Sequence, residues 1–144
     1  MAAKNPDLHG PVPDKRLHRI FDHIDLRVPT LAKVRPFYAA LLPALGFTKD
    51  VSDEKWFQFE AEKWSGANEF FGITESPGHV PNETRIAFWA ESTAEVDRLA
   101  EVARRAGGCN LEGPGFGEAG YYAVFFEDPC GNRLEICHRI GRSN

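Results

Sequence analysis

The sequence predicts an α+β domain made of two βαβββ repeats, which form a curled mixed sheet around a shared cavity. Each half opens with a strand-like alternation, continues with an amphipathic helix and ends with three short strand-like segments. The chain has 144 residues, of which 42% are hydrophobic, so one domain with its own core is expected. We place this domain at residues 20–144, with the repeats at about residues 20–76 and 84–139. Residues 1–19 combine prolines with charges and are predicted to form a flexible arm.

The first repeat begins with a strand and a helix. The side chains of residues 21–28 alternate strictly between two faces, which is typical of a half-buried strand. Apolar residues then recur every three or four positions over residues 34–45, which indicates an amphipathic helix that ends at Gly46. Because Pro36 removes a backbone hydrogen bond, we expect this helix to start later than Thr30 or to bend at the proline.

Three short strands and a linker complete the first repeat, and the second repeat follows the same order. The strands are predicted at residues 47–51, 55–60 and 68–74, and the linker at residues 75–83. In the second repeat, a strand at residues 85–90 precedes a helix that opens with a capping box at Ser92 and is closed by Gly107 and Gly108. Its remaining strands are predicted at residues 110–112, 121–127 and 133–138.

A constant offset aligns the two halves and superposes His23 on Arg85, Thr30 on Ser92 and Gly46 on Gly108. In each repeat the helix covers one face of the sheet, so the opposite faces of the paired repeats can close around a cavity. We therefore expect the functional residues on the faces that the helices leave free.

The composition excludes several classes of function. The chain has 17 Lys and Arg against 21 Asp and Glu, a net charge of −4 and no long basic run, so we predict no nucleic-acid partner. No apolar stretch approaches the about 20 residues of a membrane helix, and the N-terminus lacks the apolar core of a signal peptide. We therefore predict no membrane partner and a cytoplasmic location. The three cysteines have no CxxC spacing, which indicates reduced thiols.

Several short segments carry a family resemblance: Asp22-His23-Ile24, Phe37-Tyr38, Leu45-Gly46-Phe47, Ile86-Ala87-Phe88, and Asp128-Pro129-Cys130-Gly131-Asn132 followed by Leu134-Glu135-Ile136. Together with the repeat, they resemble the vicinal oxygen chelate superfamily, which includes glyoxalase I, fosfomycin- and bleomycin-resistance proteins and extradiol dioxygenases. The similarity covers about residues 20–139. It implies a glyoxalase-like fold and, by analogy, a homodimer.

The resemblance also implies a divalent metal in those members of the superfamily that are enzymes. Side chains from the first and last strand of each repeat hold the metal, and His23 and Glu135 match two of these four positions. Imidazole and carboxylate groups suit zinc, nickel, iron or manganese. The other two positions fall at Arg85 and at or beside Gly72, which offer no side-chain lone pair to a metal.

Arg85 separates two hypotheses. In the first, the metal site is degenerate: Arg85 takes the place of the metal, pairs with Glu135, and the protein binds or acts on a small organic molecule without a cofactor. Its charge would repel a dication by roughly 8 kcal/mol at about 4 Å and an effective dielectric of about 20. In the alternative, His23 and Glu135 hold a divalent metal that acts as a Lewis acid in a lyase, isomerase or dioxygenase-type reaction. Taken together, the two hypotheses make Glu135, His23 and Arg85 the candidate catalytic residues, and the alternative makes His23 and Glu135 the metal ligands.

Four further residues are candidates for binding a substrate in the cavity. Strand parity places Arg27 and Trp89 on the faces that we assign to it. Aromatic walls are expected from Trp56 or the residue after it and from Tyr121 or the residue after it. Arginines among aromatic rings suit a small planar or anionic ligand. The glycine-rich residues 113–120 can form either a mobile lip over the cavity or a permissive turn.

Overall fold

The computed structural model describes residues 20–62 and 68–141, and the predicted arm lies outside the described residues. The elements follow the predicted order: β1 (His23–Val28), α1 (Leu31–Leu45), β2 (Lys49–Asp50), β3 (Phe57–Glu60), β4 (Phe70–Glu75), β5 (Arg85–Trp89), α2 (Thr93–Ala106), β6 (Cys109–Phe116), β7 (Tyr121–Glu127) and β8 (Arg133–Arg139). The predicted α+β fold with two βαβββ repeats is therefore confirmed. In the described ranges, neither helix has the length and apolar character needed to cross a membrane.

Each repeat forms one four-stranded mixed sheet. The strand order is β1-β4-β3-β2 in the first sheet and β5-β8-β7-β6 in the second, with β1 parallel to β4 and β5 parallel to β8. The other neighbouring strands are antiparallel. The two helices pack against each other, and one core joins buried side chains of both repeats, such as Phe37, Leu41, Leu99 and Leu134. This packing leaves the opposite face of each sheet available for a site.

Helix α1 accommodates two prolines without ending. It begins at Leu31 and runs through both Pro36 and Pro43. Each proline leaves the carbonyl four residues earlier without its helical donor. Those carbonyls belong to Ala32 and Ala39, which are both exposed, so water can take the place of the missing donors. The helix therefore begins directly after its N-cap Thr30, before the first proline, and continues through Pro36.

Both helices end on a glycine in the left-handed region. The φ angle is 116° at Gly46 and 103° at Gly107, where glycine has no steric penalty. Helix α2 has 14 residues and α1 has 15. The residue of α2 that corresponds to Gly46 is therefore Gly107, one position before the Gly108 that the constant offset between the repeats predicts. At the other end, Ser92 caps α2 as predicted, because its side chain accepts a hydrogen bond from the Glu95 backbone N–H.

Strand β6 is longer than predicted and takes up most of the glycine-rich segment. It extends over Cys109–Phe116 and pairs with β7 through two register shifts. At Gly113 the φ angle is +89°, and a Cβ there would lie 2.7 Å from the Ala123 carbonyl oxygen, so this position requires glycine. The strand contains glycines and a proline, so it lacks the alternating apolar side chains from which a strand is predicted. Of the predicted lip, residues 117–120 form the turn between the two strands.

A buried polar network joins the first helix, the linker and the turn before β8. The Tyr38 hydroxyl donates to Asp128 Oδ2 at 2.6 Å, and Asn132 Nδ2 donates to the same oxygen at 3.1 Å. His79 of the linker hydrogen-bonds Asn132 Oδ1 at 3.0 Å. Burial and the adjacent Asp128 carboxylate raise the pKa of Tyr38 well above its usual value, so this tyrosine remains a neutral donor.

Candidate functional site

The face of the second sheet that the helices leave free carries the centre of the predicted site. Side chains alternate along β8, and Leu134 and Ile136 belong to the core. The β8 residues on the free face are Arg133, Glu135, Cys137 and Arg139. Strand β5 lies beside β8 with Arg85 opposite Arg133, which brings Arg85 to the same face.

Arg85 lies across this face towards β7. Its guanidinium carbon is 4.7 Å from the centroid of the Phe125 ring, which is a cation–π contact. Its Nη1 is 3.9 Å from Glu135 Oε1, an ion pair that is longer than the about 2.8 Å of a hydrogen-bonded guanidinium–carboxylate pair. Across residues 20–62 and 68–141, Arg85 donates no side-chain hydrogen bond. Its N–H donors are therefore free for a ligand.

Glu135 is a buried carboxylate with an unused oxygen. Its side chain is 7% exposed, and Oε2 has no hydrogen-bond partner in the part of the chain that the structure describes. Leaving a buried carboxylate oxygen unpaired costs free energy, and a donor on a ligand would recover it. Burial raises the pKa of the neighbouring Cys137 thiol, and the Glu135 carboxylate raises it further. Cys137 therefore stays neutral beside the carboxylate.

A cavity of about 420 Å³ covers these residues. Its lining includes Arg85, Tyr121, Phe125, Glu135 and Arg139. The Arg139 guanidinium carbon is 4.5 Å from the centroid of the Tyr121 ring. Both aromatic rings of the cavity therefore make a cation–π contact with an arginine. The volume is typical of a small-molecule site. The cavity therefore offers positive charge beside its aromatic rings.

His23 lies on the free face of the first sheet. Its ring stacks on Phe70 with 4.4 Å between centroids, and its Nδ1 is 2.7 Å from Asp22 Oδ2. A carboxylate at this distance favours the tautomer with the proton on Nδ1, which leaves the Nε2 lone pair available. His23 lines a groove of about 530 Å³ that contains residues of both repeats, among them Arg85 and Trp89.

An indole ring covers the position that the resemblance assigns to a fourth metal ligand. A Cβ added to Gly72 would lie 3.0 Å from Trp56 Cζ2, so the ring rests on the glycine backbone. Trp56 Nε1 donates to Gln58 Oε1 at 2.6 Å, which fixes the ring in place. Trp56 is thus on the free face, and Phe57 is in the core.

The structure distributes the seven predicted site residues over both sheets. The cavity of the second sheet is lined by Arg85, Tyr121 and Glu135. The groove between the repeats is lined by His23, Arg85 and Trp89. Two candidates line neither space: Arg27, which pairs with Asp25 at 3.1 Å, and Trp56. Arg85 is therefore the residue that the two spaces share.

The donor groups that the structure describes do not fit a divalent metal. Within residues 20–62 and 68–141, no three His, Cys, Asp or Glu side chains are grouped to hold one ion. His23 and Glu135 line different spaces, and Arg85 lines both. Catalytic zinc and non-haem iron usually take three protein ligands, which is more than His23 and Glu135 can supply. The charge of Arg85 would add repulsion.

Sequence reasoning missed Phe125 and Arg139. Strand parity carries the signal, because Phe125 is in step with Tyr121 on β7 and Arg139 is in step with the other polar residues of β8. Parity identifies Phe125 only if it is known whether Tyr121 or Tyr122 lies on the free face of the sheet. The structure decides this, since the Tyr122 hydroxyl donates to Asp97 of α2 at 2.6 Å and therefore lies on the helix side.

The fold has known relatives. Residues 20–136 match the family described as Glyoxalase/Bleomycin resistance protein/Dioxygenase superfamily. The chain belongs to this superfamily. No curated protein sequence gives a significant match.

Many solved structures resemble the chain, and three of them illustrate the likeness. A glyoxalase/bleomycin resistance protein from Albidiferax ferrireducens T118 is 28% identical, with a TM-score of 0.66 over 83% of this chain and 98% of that chain. A glyoxalase/bleomycin resistance protein/dioxygenase family enzyme from Burkholderia phytofirmans PsJN is 14% identical, with a TM-score of 0.63 and coverages of 83% and 98%. The fosfomycin resistance protein FosX from Mesorhizobium loti is 17% identical, with a TM-score of 0.61 and coverages of 83% and 92%. The last two likenesses concern the fold alone, so the function must be argued from the site.

Proposed function

We propose that this member of the glyoxalase superfamily binds a small organic anion in the cavity of the second sheet. Arg85 anchors the anionic group, and Glu135 accepts a hydrogen bond from the ligand. One observation carries the proposal: the buried Glu135 Oε2 has no partner among the described residues, although the Arg85 cation lies beside the same carboxylate. A hydrogen-bond acceptor beside a cation favours a ligand that carries a hydrogen-bond donor beside an anionic group.

The preferred ligand has an anionic acceptor and a donor on neighbouring atoms. The guanidinium of Arg85 has five N–H donors, and no side-chain hydrogen bond uses them in the described chain. Glu135 Oε2 needs a hydroxyl or amine proton. A 2-hydroxy acid supplies both groups, with its carboxylate on Arg85 and its hydroxyl on Glu135. We therefore propose 2-hydroxy acids as the ligand class.

The same two residues support proton transfer on such a ligand. A carboxylate that touches the ligand can remove a proton as a general base. The electron pair left behind forms an oxyanion or enolate, and an adjacent guanidinium stabilises that charge. In this step Glu135 gains the proton and Arg85 holds the negative ligand. We propose this acid–base chemistry for the pair, without a metal.

A metal-dependent lyase, isomerase or dioxygenase-type enzyme is the second candidate, and one contact favours it. Asp22 holds His23 Nδ1, as carboxylates often do behind metal-binding histidines. Zinc, nickel, iron or manganese would require His23 and Glu135 to meet at one ion. Elemental analysis of protein purified without chelators separates the candidates, and we expect less than about 0.1 metal per chain. A full equivalent that is lost in both His23→Ala and Glu135→Ala would favour the metal-dependent enzyme.

Calorimetric titration with 2-hydroxypentanoate and pentanoate tests the proposal, because the two acids differ only in the hydroxyl that we assign to Glu135. We expect the wild type to bind the hydroxy acid at least about tenfold more tightly. Glu135→Leu is expected to remove this preference, and Arg85→Gln to weaken both acids.

Arg98→Gln is the matched control for Arg85→Gln, since Arg98 is an exposed arginine on α2 that pairs with Glu95 at 3.7 Å. It is expected to bind both acids as the wild type does. Equal affinities for the two acids in the wild type, or equal behaviour of the two arginine variants, would contradict the proposal.

A further inference from the structure

Two arginines of the second sheet lie over two aromatic rings of the same strand. The guanidinium carbon of Arg85 is 4.7 Å from the centroid of Phe125, and that of Arg139 is 4.5 Å from the centroid of Tyr121. Phe125 and Tyr121 are four residues apart on β7, so they share one face and are separated by about 13 Å along the strand. Both arginines line the cavity of about 420 Å³.

Small residues form the floor between the two rings. Ala123 lies midway on β7 and is opposite Gly115 of β6 and Cys137 of β8. A Cβ added to Gly115 would meet no atom within 4 Å, so the space above it is open. The cavity is therefore a trough with one guanidinium at each end.

Both guanidiniums keep donors for a ligand. A cation–π contact uses the region above the ring and leaves in-plane N–H groups of the guanidinium free. In the described ranges, neither arginine donates a side-chain hydrogen bond, and the one carboxylate within 4.0 Å of either is Glu135, beside Arg85. Glu118 also lines the trough, but it forms no ion pair within 4.0 Å with either arginine. The Arg139 end thus has no anionic partner within that distance.

We propose that the trough binds an elongated organic dianion, with one carboxylate on Arg85 and the other on Arg139. This inference rests on the proposed function, which supplies the Arg85 anchor, and adds a second anchor that sets the ligand length. In a bidentate pair the two central carbons are about 4 Å apart, so guanidiniums that keep the about 13 Å spacing of the rings beneath them leave about 5 Å between the carboxylate carbons. A linear dicarboxylate of about five carbons has this length. With a hydroxyl for Glu135, the ligand class becomes the 2-hydroxy dicarboxylates.

Titration of the full chain with 2-hydroxyglutarate and 2-hydroxypentanoate tests the second anchor. The two acids share a five-carbon chain and the hydroxyl, and they differ in the distal carboxylate. We expect the wild type to bind the diacid at least about tenfold more tightly than the monoacid. In Arg139→Gln the ratio of the two affinities is expected to fall to about one, and in the control Arg98→Gln it is expected to stay at the wild-type value. Thermal unfolding establishes that each variant is folded.

The outcomes separate this inference from the proposed function. Equal affinities for the two acids in the wild type, or a diacid preference that persists in Arg139→Gln, overturns the second anchor. If the monoacid binds and Arg85→Gln weakens it while the diacid has no advantage, the proposed function stands and the dianion is wrong. If neither acid binds, or if Arg85→Gln changes neither affinity, both the inference and the proposed function are overturned.

Discussion

The Arg85 guanidinium lies 3.9 Å from the Glu135 carboxylate, close enough to stabilise its charge and too far to donate a hydrogen bond to it. The Phe125 ring supports the guanidinium from one side. On the other oxygen of the carboxylate, the described residues supply no partner. A pair that served stability alone would close into a bidentate contact, which is stronger. The open geometry leaves both residues with hydrogen-bonding capacity for a ligand.

Replacing Glu135 by leucine is expected to stabilise the protein while it weakens ligand binding. The change removes a buried carboxylate with an unpaired oxygen and adds an apolar side chain of similar size, for which we expect about 1–3 kcal/mol in the free energy of unfolding. Urea denaturation measures the change. Glu118→Leu on the exposed turn is the control and is expected to stay within about 0.5 kcal/mol. Lower stability in Glu135→Leu would show that the carboxylate serves the fold.

The buried tyrosine network should contribute more stability than a similar exposed contact. Tyr38→Phe removes a 2.6 Å hydrogen bond to the buried Asp128, and we expect a loss of about 1–3 kcal/mol in the free energy of unfolding. Tyr122→Phe removes a hydrogen bond of the same length to the exposed Asp97 and is the matched control, with an expected loss below about 1 kcal/mol. If both variants lose the same free energy of unfolding in urea denaturation, burial of the network does not make its hydrogen bond more stabilising than the exposed one.

Gly72 should tolerate no side chain without movement of Trp56. A Cβ at this position lies 3.0 Å from the indole, so Gly72→Ala is expected to cost about 1–3 kcal/mol and to shift the tryptophan fluorescence. Gly78→Ala is the control, because no atom lies within 4 Å of a Cβ there. A Gly72→Ala variant with wild-type stability and fluorescence would show that the indole is not fixed over the glycine.

The sequence predicts a secondary-structure element well where nearby residues define its ends, and less well where its extent depends on pairing with a neighbouring strand. Strand β7 is predicted to the residue, because turn residues bound it on both sides. Strand β6 is predicted too short, since its glycines carry no hydrophobic signal. The proximity of Arg85 to Glu135 follows from the family resemblance, but their separation and the unpaired oxygen depend on tertiary packing that no local pattern encodes. The homodimer and the cytoplasmic location stay predictions.

The three cysteines are expected to differ in reactivity. Burial raises the pKa of the Cys137 thiol, and the Glu135 carboxylate raises it further, whereas Cys109 is exposed. Because the thiolate is the reactive form, a disulfide reagent such as dithiobis(nitrobenzoate) at pH 8 should modify Cys109 at least about tenfold faster than Cys137. The Cys137→Ser variant should lack the slow phase of the reaction, which assigns that phase to Cys137. Equal rates for the two thiols would mean that Cys137 is not held in this environment.

The same thiol gives stability a pH dependence whose sign can be stated. The Cys137 pKa is higher in the folded chain than in the unfolded chain, so raising the pH ionises the unfolded chain first. Its contribution to stability is therefore fully present below the ordinary thiol pKa of about 8.5 and is lost as the pH rises towards the folded value. Glu135→Leu removes one cause of the raised pKa, so the variant should react faster at Cys137 and lose less stability between pH 8 and pH 10. An unchanged rate and an unchanged pH profile in Glu135→Leu would mean that the carboxylate does not act on this thiol.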